Sequence, residues 1–230
     1  MQLSNIVKYF IVTAACMFLI QACGSSRSAN EGVVPPEDAV RTEPPFQNAE
    51  PENYQAEVWQ ISPAGTEKFL IARKGDKWRV DNAYGDPKQT VTLHSDKDYV
   101  LSIATKTYAE YTTGHGYDDR ASTVEGVTDG LWNRRDNAVY EKIGTENGMT
   151  KYRVTGAPGK PVESIITIDD ALGLPMMKEV FTSENGRALA RTTKIADYKT
   201  TVDDNAFSIP KDFKKVPLEE MRKVLVAPNQ

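Results

Sequence analysis

Cysteine is almost missing from this chain. Two occur in 230 residues, Cys16 and Cys23, and residues 24–230 contain none. Beyond residue 23 that excludes a disulfide-stapled scaffold, thiol redox chemistry and a cysteine metal site. A domain there is held by its core alone. Histidine is equally scarce. His94 and His115 stand far apart and outside any metal-type spacing, so no metal is expected. A long hydrophobic run is absent as well. Residues 9–20 form an apolar stretch of about a dozen, too short to span a bilayer comfortably. Charge of one sign is not in large excess, with 28 basic against 32 acidic residues and a net of −4. That balance argues against nucleic acid as a partner.

Catalytic patterns are lacking too. No serine has the context of a nucleophile elbow. Gly114-His115-Gly116 has neither the third glycine nor the following helix of a phosphate loop. The carboxylate pairs Asp118-Asp119, Asp169-Asp170 and Asp203-Asp204 fall at predicted turns, where aspartate bonds nearby backbone. None has a calcium-loop spacing. The chain therefore reads as a non-enzyme with no cofactor.

What is present begins at the N-terminus. Lys8 is the sole charge before the apolar stretch, which has the length of a signal-peptide h-region. The stretch runs into Leu19-Ile20-Gln21-Ala22-Cys23, which resembles a bacterial lipobox. The resemblance implies cleavage between Ala22 and Cys23, with palmitate-like acyl chains anchoring Cys23 in a membrane. Cys16 is a poorer acceptor, because it leaves few apolar residues after Lys8. An uncleaved signal anchor is the alternative, and the short run argues against it. Gly24 stands where an inner-membrane retention signal would place aspartate. The expected location is the bacterial envelope, at the outer membrane and facing the periplasm.

Residues 23–53 read as the lipidated cysteine and a disordered tether. They hold Pro35-Pro36, Pro44-Pro45 and Pro51, and few large apolar side chains to offset ordering entropy. Residues 54–230 are about the size of one domain, and their pattern has period two. In 53–61, Tyr54, Ala56 and Val58 alternate with Gln55 and Glu57. Further strands are expected over 68–72, 77–80, 89–94, 98–104, 107–111, 138–143, 150–154, 162–169, 176–182 and 187–199. Lys74-Gly75-Asp76, Asn147-Gly148 and Glu184-Asn185-Gly186 supply hairpin signals between them. Helix is expected only over 124–134, with Trp132 near its end, and over 217–226. Pro217 suits a first helical position, and Glu219-Glu220 suit the positive end of the dipole. The fold class expected is mainly β: a strongly curved antiparallel sheet, an unclosed half-barrel, with one or two short covering helices.

Lys74-Gly75-Asp76-Lys77-Trp78-Arg79-Val80, followed by a strand pair ending in Lys106-Thr107-Tyr108, resembles the hairpins of bacterial outer-membrane lipoprotein-sorting proteins, the Lol carriers and their relatives. Gly173-Leu174-Pro175, Lys178-Glu179-Val180 and the closing Asp203-Asp204-Asn205-Ala206-Phe207-Ser208-Ile209-Pro210-Lys211-Asp212-Phe213 extend the resemblance over most of the chain beyond residue 54. It implies an unclosed curved sheet whose apolar hollow binds acyl chains or lipidated proteins. Two departures stand out: the Pro-rich segment replaces a leading amphipathic helix, and 114–135 offers a smaller lid. Alternation then nominates Phe69, Ile71, Trp78, Val80, Val91, Leu93, Leu101, Ile103, Ile166 and Ile168 as the lining of a lipid-binding hollow. The expected function is binding of a lipid or acyl-bearing ligand during lipid or lipoprotein transport, by a monomer anchored through Cys23. The alternative is a protein-interaction module of the envelope with a fully packed core.

Overall fold

A computed structural model describes residues 40–43, 45–46, 50–112, 123–133, 138–155, 163–182 and 187–226. The expected signal peptide, Ala22, Cys23, His115 and Asp118-Asp119 lie outside them. The described residues belong to one compact unit, Pro35–Gln230.

Thirteen strands form one sheet. In chain order they are β1 (Val40–Thr42), β2 (Asn53–Ser62), β3 (Gly65–Lys74), β4 (Lys77–Asn82), β5 (Thr90–His94), β6 (Asp98–Ser102), β7 (Thr107–Tyr111), β8 (Val139–Glu146), β9 (Met149–Thr155), β10 (Glu163–Asp169), β11 (Leu174–Thr182), β12 (Ala188–Lys199) and β13 (Lys214–Lys215). Helix α1 is Val124–Val127, a 3-10 turn covers Asp204–Phe207, and helix α2 is Leu218–Val226. The spatial order is β1-β8-β9-β10-β11-β12-β2-β3-β4-β5-β6-β7-β13. Neighbours are antiparallel except β13, which runs parallel to β7. Among the described residues the end strands β1 and β13 do not pair, so the sheet is unclosed.

Local chemistry explains the hairpins. At β3–β4, Lys74 pairs with Lys77 across a two-residue loop, and Gly75 takes φ +60° at its first position. At β8–β9, Asn147 and Gly148 have φ of +52° and +73°, the two left-handed residues of a type I′ turn. An open sheet of this width does not stay flat. Register shifts at Lys142/Gly144, Thr167/Ile168, Val180/Phe181 and Ala196/Lys199 mark bulges, which bend the strands and increase their twist.

The topology has one long crossing. Strands β2–β7 and β8–β12 are two meanders that meet where β12 pairs with β2. The chain leaving β7 must therefore return across ten strand spacings to start β8. Flat, that is about 48 Å. The crossing carries α1 and Trp132 over one face of the sheet, here called the inner face.

Two expectations about boundaries need correction. The tether was expected to reach residue 53, yet β1 pairs with β8 in register Val40↔Lys142, and Phe46 is buried in the core against Tyr140. One edge pairing and one large aromatic suffice to dock this stretch despite its prolines. The helix expected over 124–134 stops at Val127. Asp129 adopts φ +52°, Asp129 N–H donates to the Gly126 carbonyl, and Gly130 N–H donates to the Glu125 carbonyl. That pair of bonds is a Schellman stop, with aspartate in the left-handed position where glycine is usual. Helix α2 matches its expected limits closely. Its Met221 is fully buried with Val216 against Val100 and Ala109 on β6 and β7.

Candidate functional site

The inner face is defined by alternation. Tyr54, Ala56 and Val58 on β2, Phe69 and Ile71 on β3, and Val80 on β4 are all 6% exposed or less. They share one apolar cluster with Ile166 and Ile168 on β10 and Ile195 on β12. Val127, Leu131 and Trp132 from the crossing complete that cluster, each 2% exposed or less. Residues 123–133 thus form a plug seated on the sheet.

The plug is pinned by polar bonds as well. Gln60 Nε2 donates to the Gly126 and Val127 carbonyls at 3.1 and 2.7 Å. The Trp132 indole N–H donates to the Pro175 carbonyl at 3.1 Å, and its ring stands edge-on to Tyr54 at 5.0 Å. Lys178 Nζ donates to the Asp129 carbonyl at 2.6 Å and lies 3.2 Å from its carboxylate. Arg191 Nη2 donates to the same carboxylate at 2.7 Å. The Lys178 side chain is only 5% exposed.

At the start of the plug is a cleft of about 310 Å³, lined by Glu50, Arg73, Trp78, Thr123, Val124 and Glu125. Arg73 pairs with Glu50 at 3.1 Å, and the Tyr54 hydroxyl donates to Glu50. Burial, followed by the Glu50 charge, pushes the Tyr54 hydroxyl far above its ordinary pKa, so it stays a donor. Four of the six lining residues are polar or charged, and Trp78 and Val124 supply its apolar wall.

The ten residues nominated as one hollow do not share a face. Phe69, Ile71, Trp78, Val80, Ile166 and Ile168 belong to the inner face. Val91, Leu93, Leu101 and Ile103 belong to the opposite, outer face. The β4–β5 register is the reason. Val80 pairs with Thr92 and Asp81 with Val91, which puts Val91 and Leu93 behind the sheet. There they are covered by a C-terminal strap containing Val202, Ala206, Phe207, Ile209 and Phe213. Arg79 and Gln89 hold the buried Asp81 carboxylate on that face, and Arg79 also donates to the Ala206 carbonyl of the strap. Burial outweighs the pull of Arg79 and holds the Asp81 carboxyl above its usual range.

The titratable candidates are placed structurally. His94 stacks on Trp78 and bonds Asp98. Asp169 accepts from the Ala171 and Leu172 amides, and Asp203 caps the 3-10 turn by accepting from Asn205. Among the described residues no group of three His, Cys, Asp or Glu could hold a metal, and no helix is long and apolar enough to cross a membrane.

No family model and no curated protein matches the chain. Solved structures do match it. The chain is similar to a LolA superfamily protein from Nitrosomonas europaea at 9% identity and a TM-score of 0.31, over 70% of this chain and 92% of that one.

Sequence reasoning missed the Asp129–Lys178–Arg191 cluster. A signal for it existed. Lys178 pairs with Ile166 and so falls on the inner side of β11. A lysine at an inward position of an alternating strand calls for a counter-charge from whatever covers it.

Proposed function

We propose that the domain binds the acyl chain of a lipid or of a lipidated protein on the inner face, in the space its own plug fills. It acts as a fixed relay in lipid or lipoprotein transport, without enzymatic chemistry. The observation that carries this reading is the plug itself. A short segment of the β7–β8 crossing, rather than a second layer of sheet or a long helix, supplies the Val127, Leu131 and Trp132 side chains that cover an extended apolar floor. Displacing these side chains opens a groove, and an incoming chain gains about 0.8 kcal/mol per buried methylene.

In this reading Cys23 anchors the protein in the outer membrane, facing the periplasm. The revised boundary shortens its reach. Only about 16 residues separate Cys23 from β1, at most about 55 Å of chain even if fully extended. The domain works close to the bilayer as an acceptor or relay, because two or three acyl chains anchor stably where one does not.

The competing reading is an envelope protein-interaction module with a packed core. The near-complete burial of the floor beneath the plug favours it. Photoreactive acyl probes of increasing length separate the two. Acyl binding predicts labelling of the plug and the inner strands, with affinity rising about fourfold per methylene. Absence of labelling, with no lipid copurifying in native mass spectrometry, leaves the packed module as the answer.

A further inference from the structure

The plug carries a charge as well as apolar side chains, and the floor answers it. Lys178 on β11 and Thr193 on β12 are a registered pair on the inner face, 4% and 1% exposed. Arg191 lies two residues from Thr193 on the same face. Asp129 meets both cations, through Lys178 Nζ at 3.2 Å and Arg191 Nη2 at 2.7 Å. Three buried polar atoms of this cluster, Thr193 Oγ1, Arg191 Nε and Asp129 Oδ2, have no hydrogen-bond partner while the plug is seated. The seated carboxylate therefore leaves two floor donors unused while its own Oδ2 accepts no hydrogen bond, so it fills the site imperfectly.

We propose that Asp129 stands in for the anionic headgroup of a ligand, and that Lys178, Arg191 and Thr193 form an anion site for the carboxylate or phosphate of a single-headed amphiphile. This rests on the acyl-chain reading above and specifies its ligand class. The plug imitates such a molecule part for part. Val127, Leu131 and Trp132 occupy the place of the chain, and Asp129 that of the acid. The physical argument is one of exchange. A neutral ligand that displaced the plug would take the Asp129 carboxylate away from a buried lysine and return no charge, which is unfavourable. An anionic ligand replaces one carboxylate by another acid and also engages the two unused donors. Headgroup charge, beyond chain length, then decides what binds.

The test uses the full chain exchanged from detergent into amphipol, with amphipol alone as the blank. Hexadecanoate, 1-palmitoyl lysophosphatidate and 1-hexadecanol compete against a fluorescent acyl probe. A charge-assisted hydrogen bond predicts that the acids compete about 10- to 100-fold better than the alcohol. The stronger acid identifies the source, a free fatty acid or a phosphate-bearing lipid. Lys178→Met should reduce the preference below threefold, in part by strengthening the alcohol, which no longer parts a buried lysine from its carboxylate. Arg191→Gln, at a side chain 43% exposed, is the second variant should Lys178→Met fail to fold. Asp129→Asn should tighten acid binding, since the competing carboxylate is gone. Equal binding of acid and alcohol to the wild type would overturn the anion site and leave the acyl-chain reading standing. No binding of either would overturn both.

Discussion

Trp132→Ala tests how firmly the plug is held. The indole is 2% exposed, edge-on to Tyr54 at 5.0 Å, and its N–H donates to the Pro175 carbonyl at 3.1 Å. Truncating a buried tryptophan to alanine costs about 3–5 kcal/mol in lost burial and residual cavity. Orphaning the carbonyl adds about 1–3 kcal/mol where water cannot replace the donor. Trp132→Phe keeps a ring beside Tyr54 and loses chiefly the donor, so its cost is about 1–3 kcal/mol. A domain of this size has stability on the order of 10 kcal/mol, so both variants fold. The size of the loss also measures the plug. If the plug docks with less free energy than the side chain contributes, it undocks and the loss stops at the docking value. Amides of 124–132 then lose protection while those of β2 keep it. Urea unfolding followed by circular dichroism, with hydrogen exchange resolved to segments, reads both quantities. A loss below about 1 kcal/mol for Trp132→Ala, with exchange in 124–132 unchanged, would refute the burial and hydrogen bond described here.

Three further outcomes are expected. Phe46→Ala should lower stability by about 3 kcal/mol in urea unfolding, and a negligible change would return residues 40–46 to the tether. Asp129→Ala removes the carboxylate beside the buried Lys178, which keeps its bond to the residue-129 carbonyl, and should cost about 3 kcal/mol, while Lys178→Met in that background should recover part of it; strictly additive losses in the double-mutant cycle would disprove the coupling. Asp81 tests a sign: burial raises its folded pKa, so its contribution is fully present below the unfolded value and is lost as pH rises through the folded one. Relative to Asp81→Asn, the wild type should therefore lose stability in urea midpoints as pH rises above the ordinary carboxylate range, and a gain there would contradict the upward shift.

The strands were legible because each is half-buried, and burial on one side writes period two into the chain. Tyr54, Ala56 and Val58 are all fully buried on one face. The turns were legible because Gly75, Asn147 and Gly148 occupy left-handed conformations that few other residues accept. What alternation cannot supply is which face of one strand continues onto the next. That depends on register, and the Val80↔Thr92 pairing sent Val91 and Leu93 behind the sheet although both are as apolar as Ile71. The edge strand β1 was illegible for a different reason. Three residues pairing on one side leave no periodicity, and the flanking prolines dominate the composition. Asp129 was hidden because its role comes from a crossing that joins the two outer ends of the meanders. Nothing local to residues 123–133 says which strands lie beneath them.

The two faces of this sheet are covered by segments of different chemistry, and the difference bears on which cover moves. The strap on the outer face is seated by apolar side chains, with Phe207 4% exposed, and its ion pairs to Lys74 and Lys106 are exposed and individually weak. The inward charge beneath it, Asp81, has its partner on its own strand, since Arg79 and Asp81 are both on β4. Lifting the strap would therefore expose hydrocarbon and break the Arg79 bond to the Ala206 carbonyl, but leave that ion pair intact. The plug differs. Its apolar seat is comparably buried, but its charge is matched across elements, Asp129 on the crossing against Lys178 and Arg191 on the sheet. Lifting the plug separates opposite charges unless another anion takes its place. A cover held mainly by burial responds to any apolar competitor. One held by burial and a buried charge pair responds to a competitor that brings both. The plug is the cover with that second requirement, and it is seated on the more extensive apolar floor of the two. A selective exchange of cover for ligand is therefore possible on the inner face, whereas the strap belongs to the permanent core.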